Sequence, residues 1–68
     1  MVTIFQKTGS NIRKARKKLE FTQEKLAELA RMDPKSIIEI EGGKRNPTLK
    51  TIRKIASSLK IKPSKLIP

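Results

Sequence analysis

Two helix-start signals stand so close together that they dictate the middle of this chain. Thr22, followed by Gln23 and Glu24, and Asp33, followed by Pro34, each place a capping side chain just ahead of an apolar-periodic run. Gly42-Gly43 closes the second run with residues suited to a left-handed C-terminal cap. Residues 22–41, TQEKLAELARMDPKSIIEIE, therefore read as two short helices joined by a tight turn. On the first, Leu26, Leu29 and Ala30 form the apolar face, and Ala27 is small enough to let another helix approach. On the second, Ile37 and Ile40 face inward and Glu41 borders the same face, while Lys35, Ile38 and Glu39 project outward.

The flanking segments supply the remaining helices. Ser10 or Asn11 is expected to cap a first helix whose buried stripe is Ile12, Ala15 and Leu19. At about 100° per residue, Arg13, Lys14, Lys17 and Lys18 point away from that stripe, and only Arg16 lies beside it. Residues 1–9, with Val2, Ile4 and Phe5 in alternation, are too short for a strand of their own and read as an N-terminal arm, or a frayed cover for the core, ahead of a domain at residues 10–68. Lys44-Arg45-Asn46 opens a basic loop. Thr48 can cap a fourth helix running to about Leu59, with Leu49, Ile52, Ile55, Ala56 and Leu59 on one stripe and Lys50, Arg53 and Lys54 off it. A final turn at residues 63–67 offers Leu66 and Ile67 as a lid on the core or a patch for a partner. With no hairpin signal and no internal repeat, the fold class is all-α: four helices and a terminal turn.

Charge is divided along the same lines. All six acidic residues, Glu20, Glu24, Glu28, Asp33, Glu39 and Glu41, lie in or beside the central stretch, and both flanks carry basic charge only. A net charge of +11 on 68 residues matches the electrostatic footprint of a nucleic-acid binder, and by this number alone a basic ribosomal-type protein or a membrane-surface peptide would look similar. The only aromatics, Phe5 and Phe21, suit packing better than base stacking, which weakens the reading as an RNA- or ribosome-associated basic protein. With no cysteine and no histidine, disulfides, thiolate metal sites and the commonest general base are excluded. No glycine-rich phosphate loop and no aspartate pair suited to metal chemistry is present, so no enzyme activity, cofactor or metal is expected. No apolar run approaches the roughly 20 residues that span a bilayer, and the first ten residues lack a signal peptide's apolar core. No membrane role and a cytoplasmic location are expected. A chain this small buries only about 60% of the surface its unfolded state exposes, so its helices must pack well or it must dimerise.

Three blocks, TQEKLAELA, IIEIEGGKRNP and TLKTIRKIASSL, in this order and spacing, resemble the lambda-repressor-like or Cro/CI-type helix-turn-helix regulators over residues 12–67. The resemblance implies a compact five-helix DNA-binding domain whose helix-turn-helix is formed by helices two and three. It further implies a homodimer on double-stranded DNA with a two-fold symmetric operator, half-sites lying about 34 Å apart. Carried over by position, it assigns Gln23 to a phosphate contact together with the helix N-terminus. Asp33, Pro34, Lys35 and Glu39 occupy the base-reading face, and the periodicity independently turns Lys35 and Glu39 outward. Lys35 can donate to guanine O6 and N7, Glu39 or Asp33 can accept from cytosine N4, and Pro34 can offer only apolar contact. The blander reading of Lys35 and Glu39 is an exposed i, i+4 ion pair, and that of Gln23 is a solvated first-turn residue. Ile38 either touches a thymine methyl or packs beside helix two. Lys44, Arg45 and Asn46 are assigned to the DNA backbone, and Arg16 with Glu41 to a structural ion pair. Where family members often carry glycine, this chain has Glu20 and Arg31, so either those residues adopt positive φ under strain or the turns differ. The function implied is a transcriptional regulator, a repressor or autoregulator. The alternative is an antitoxin or anti-regulator of the same fold whose main role is binding a partner protein.

Overall fold

The computed structural model describes residues 3–68 of the chain. Along it run α1 (Ile4–Lys18), α2 (Gln23–Ala30), α3 (Pro34–Glu41), α4 (Leu49–Ser58) and a 3-10 turn at Pro63–Lys65. Among the described residues there is no strand, and no helix is long and apolar enough to cross a membrane. The expected fifth helix is only that 3-10 turn. One turn is enough to lower Leu66 fully into the core, where the Asn11 side-chain amide donates to its carbonyl at 3.1 Å. Ile67, next along, stays exposed.

The start of α1 differs from expectation. Thr3, rather than Ser10 or Asn11, is the N-cap, in a capping box in which the Gln6 amide donates to Thr3 Oγ1 at 3.1 Å and the Thr3 amide to Gln6 Oε1 at 2.8 Å. Residues 4–9 are thus the first turns of α1 and not an arm, and Val2, which was grouped with that arm, lies outside the described residues. Gly9 explains why the helix tolerates a weak helix former there. A Cβ at Gly9 would run into the Ile40 carbonyl oxygen and stand 2.7 Å from that of Glu41. The absent side chain is what lets the α1 backbone lie directly on the end of α3.

The other three caps form as expected. The side chains of Thr22, Asp33 and Thr48 accept from the amides of Lys25, Lys35 and Thr51. Ile12, Leu26, Ala27, Ala30, Ile37, Ile40, Ile52, Ile55, Ala56, Leu59 and Leu66 form one core, with Ala15, Phe21, Met32 and Ile61 against its edge. Three expected stripe members fall outside it: Leu19, Leu29 and Leu49 are all exposed. Leu19 is the C-cap of α1, beyond its last full turn, and Leu49 is the first residue of α4. Leu29 lies to one side of the narrow face that Leu26, Ala27 and Ala30 already complete.

The helix ends share one geometry. Phe21 donates to the Arg16 carbonyl, Met32 to Ala27, Lys44 to Glu39 and Ile61 to Ala56, each at 2.8 to 3.1 Å. These are the long bonds of Schellman motifs, in which the preceding residue is left-handed. That residue is Gly43 (φ 72°) after α3, but Glu20 (φ 60°), Arg31 (φ 56°) and Lys60 (φ 58°) after the other three helices. The choice between positive φ and altered turns at Glu20 and Arg31 is therefore resolved as positive φ, and Lys60 joins them unforeseen.

Candidate nucleic-acid interface

The interface is built on a buried charge pair that fixes α3 from behind. Arg16 Nε donates to Glu41 Oε2 at 2.7 Å and Nη2 to Oε1 at 3.1 Å, while Nη1 donates to the Phe21 carbonyl at 2.7 Å. Gln23 Nε2 adds a bond to Glu41 Oε1 at 3.2 Å. One carboxylate at the end of α3 is thereby held by α1 and by the first residue of α2. A buried charge is tolerable only when so partnered, and among the described residues no buried side-chain nitrogen or oxygen lacks a hydrogen bond. Gln23 is therefore not a solvated first-turn residue. Its side chain is half-buried against Glu41, and what α2 offers outward are the amides of Gln23 and Glu24, which have no partner within the helix.

On the far side of α3 the surface is open. Asp33 is the cap, its Oδ1 accepting the Lys35 amide at 2.9 Å, and Pro34 is the first helical residue. Asp33, Pro34 and Lys35 are all exposed. Lys35 and Glu39 share this outer face without forming the anticipated i, i+4 pair: Glu39 Oε1 is instead 3.7 Å from Arg45 Nη1. Ile38 is exposed and lines a shallow depression with Arg13, Arg16, Thr22, Gln23, Glu24 and Pro34. The open side of that depression brings the start of α2 next to the start of α3.

The basic loop divides its residues among three places. The Lys44 amide is spent on closing α3, at 3.0 Å from the Glu39 carbonyl, so Lys44 contributes its exposed side chain alone. Arg45 folds back over α3, with Nη1 donating to Ser36 Oγ at 2.7 Å. Asn46 turns the other way and lines an apolar groove of about 210 Å³ with Ile4, Phe5, Thr8, Pro47, Leu49, Ile52 and Ile67. Ser36 went unremarked in the sequence. The signal available was its spacing: Ser36 and Glu39 are i, i+3 neighbours and share one helical face.

Among the described residues no cluster of three or more histidine, cysteine, aspartate or glutamate side chains is placed to hold a metal ion. What the face presents is a helix with exposed cationic and anionic side chains, flanked by a helix start and a basic loop. Such a surface can donate to and accept from base edges while donating to phosphates.

Comparison with known proteins agrees with this architecture. A family model described as "Helix-turn-helix domain" matches residues 9–67. The restriction-modification controller protein C.AhdI from Aeromonas hydrophila is 35% identical and superposes with a TM-score of 0.90, over 93% of this chain and 96% of that one. An HTH_3 family transcriptional regulator from Vibrio cholerae is 26% identical with a TM-score of 0.90, over 96% of this chain and 36% of that one. A hypothetical transcription factor, NHTF, from Neisseria shares the fold, with a TM-score of 0.93 at 24% identity over 97% of this chain and 76% of its own. No curated protein sequence matches. From three sequence blocks, a capped α2–turn–α3 unit and a family model that spans nearly the whole described chain, this protein belongs to the helix-turn-helix family, in its lambda-repressor-like, Cro/CI-type form.

Proposed function

We propose that this protein is a sequence-specific regulator of transcription, a repressor or autoregulator that binds double-stranded DNA in the cytoplasm. The observation that carries the reading is the outer face of α3, where Lys35 and Glu39 stand free of the core and Pro34 and Ile38 adjoin the start of α2. In this reading α3 enters the major groove, and Asp33, Pro34, Lys35 and Glu39 meet base edges. Lys44, Asn46 and the α2 N-terminus at Gln23 meet the phosphate backbone. The net charge of +11 supports general attraction to DNA. The similarity to a restriction-modification controller protein supports a regulatory role for a small protein of this build.

The working unit is a homodimer on a two-fold symmetric operator. Supporting this is the groove around Ile4, Phe5, Leu49 and Ile67, whose four large apolar side chains are all exposed on a single chain. A two-fold pairing across this groove would cover them.

The test is selection of bound duplexes from a random pool at a fixed salt concentration, run with the wild type, Lys35→Ala and Glu39→Ala. The expected result is a palindromic consensus whose bases change with each substitution. A wild type that enriches no sequence, or substitutions that leave the consensus intact, would sink the assignment of α3 as the reading helix.

A further inference from the structure

Arg45 folds back from its loop onto α3. Its guanidinium lies on the outer face of α3, one Nη1 donating to Ser36 Oγ at 2.7 Å and standing 3.7 Å from Glu39 Oε1. Both partners are on the helix that faces DNA in the reading given above, on which this inference rests. The geometry points to Arg45 as a specificity-determining residue: a loop arginine held on the reading helix so that, with Glu39, it recognises a guanine–cytosine pair.

The chemistry follows from what the clamp occupies and what it leaves. Arginine carries five N–H donors in a planar fork. Among the described residues no bond engages Nε or Nη2 of Arg45, so the edge that pairs with guanine O6 and N7 stays available. Glu39, whose Oε1 is 3.7 Å from Arg45 Nη1, keeps carboxylate lone pairs for the cytosine N4 amine. A bare glutamate pushed into the groove of a polyanion is repelled by phosphates, and an adjacent guanidinium offsets that repulsion. Ser36 adds preorganisation: an arginine already seated loses less side-chain freedom when it meets the base. Arg45 and Glu39 therefore act as one two-sided reader, with Ser36 positioning it.

The experiment is duplex selection with the full-length chain, followed by affinity measurement on the consensus and on single-base variants over a range of salt. Wild type, Arg45→Ala, Arg45→Lys, Ser36→Ala and Lys44→Ala are compared. Arg45→Ala is expected to lose about tenfold to a hundredfold of discrimination at one guanine–cytosine pair. Arg45→Lys should retain the salt dependence but not the discrimination, because the charge remains and the fork is gone. Ser36→Ala should lower discrimination at that same pair. The inference is overturned if Arg45→Ala weakens all duplexes equally, as Lys44→Ala should, with the salt slope reduced by about one and the consensus unchanged. If the wild type itself enriches no consensus, the reading of α3 has failed and the assignment of Arg45 falls with it. Folding of each variant is checked by circular dichroism; the Arg45 side chain is half-exposed, and a loss of fold would weaken binding to every duplex rather than to one base pair alone.

Discussion

Arg16 and Glu41 meet through two parallel hydrogen bonds, 2.7 and 3.1 Å long, across the interior between α1 and the last residue of α3. Both side chains are more than nine-tenths buried. Removing one partner leaves a charge in the core, which costs roughly 3 to 5 kcal/mol. Arg16→Ala and Glu41→Ala should therefore each unfold at much lower urea, enough to leave so small a domain largely unfolded. Replacing both by apolar residues of similar volume, Arg16→Met with Glu41→Leu, should recover most of the loss. Equilibrium urea unfolding followed by circular dichroism distinguishes the single from the double variant.

Gly9→Ala tests the crossing of α1 on α3. In an open helix the change would stabilise by about 0.5 to 1 kcal/mol. Here the new methyl meets backbone carbonyl oxygens of Ile40 and Glu41, which cannot rotate away. A net loss of about 1 to 3 kcal/mol is expected in thermal unfolding. Gly42→Ala, whose nearest neighbour would be the Ile38 carbonyl oxygen at 3.3 Å, should lose less.

Left-handed backbone at residues with a Cβ costs about 1 to 2 kcal/mol. Glu20→Gly, Arg31→Gly and Lys60→Gly relieve that cost and give back part of it as unfolded-chain entropy. Each should raise stability by up to about 1 kcal/mol, a melting-temperature gain of roughly 4 to 8 °C per kcal/mol in a domain of this size. An alanine at the same positions should give no gain.

Leu49→Glu probes dimerisation without touching the core. Leu49 is 66% exposed in the single chain, at the first position of α4, where a negative side chain complements the helix dipole. Monomer stability should hold while the dimer dissociates, as read by light scattering after gel filtration. Unchanged mass on Leu49→Glu together with Ile67→Lys would remove the groove from the interface.

Much of the fold could be read from local chemistry. Thr22, Asp33 and Thr48 announce their helices because a cap is made by one side chain and an amide two or three residues away. The outward placement of Lys35 and Glu39 follows from helical periodicity alone. What was not legible depends on distant partners. Gly9 looks like a breaker until the carbonyls of Ile40 and Glu41 are placed against it. The path of Arg45 depends on how the loop folds back, which no local pattern encodes, and Ser36 gained its meaning only through that path. Leu29 satisfied the stripe pattern but lies beside a face that Leu26, Ala27 and Ala30 already fill, and Leu49 satisfied it but stands at the first position of α4, outside the core. The terminal turn was legible as a turn, and the fifth helix that the resemblance implied is reduced to it.

The shared ending of the helices has a bearing on how such a chain can diversify. Where α1 meets α2 and α2 meets α3, the connection is closed within a few residues by paired main-chain bonds around one left-handed residue. An inserted or deleted residue there would break both bonds and swing the next helix, so length changes are closed off at those two links. Only residues 45–47, between the Lys44 amide that closes α3 and the Thr48 cap of α4, have chain to spare, and they carry Arg45 over the outer face of α3. Related chains that differ in loop length can do so safely only there, and each such change would exchange the residue that lies beside Glu39 while leaving the frame that aims it intact.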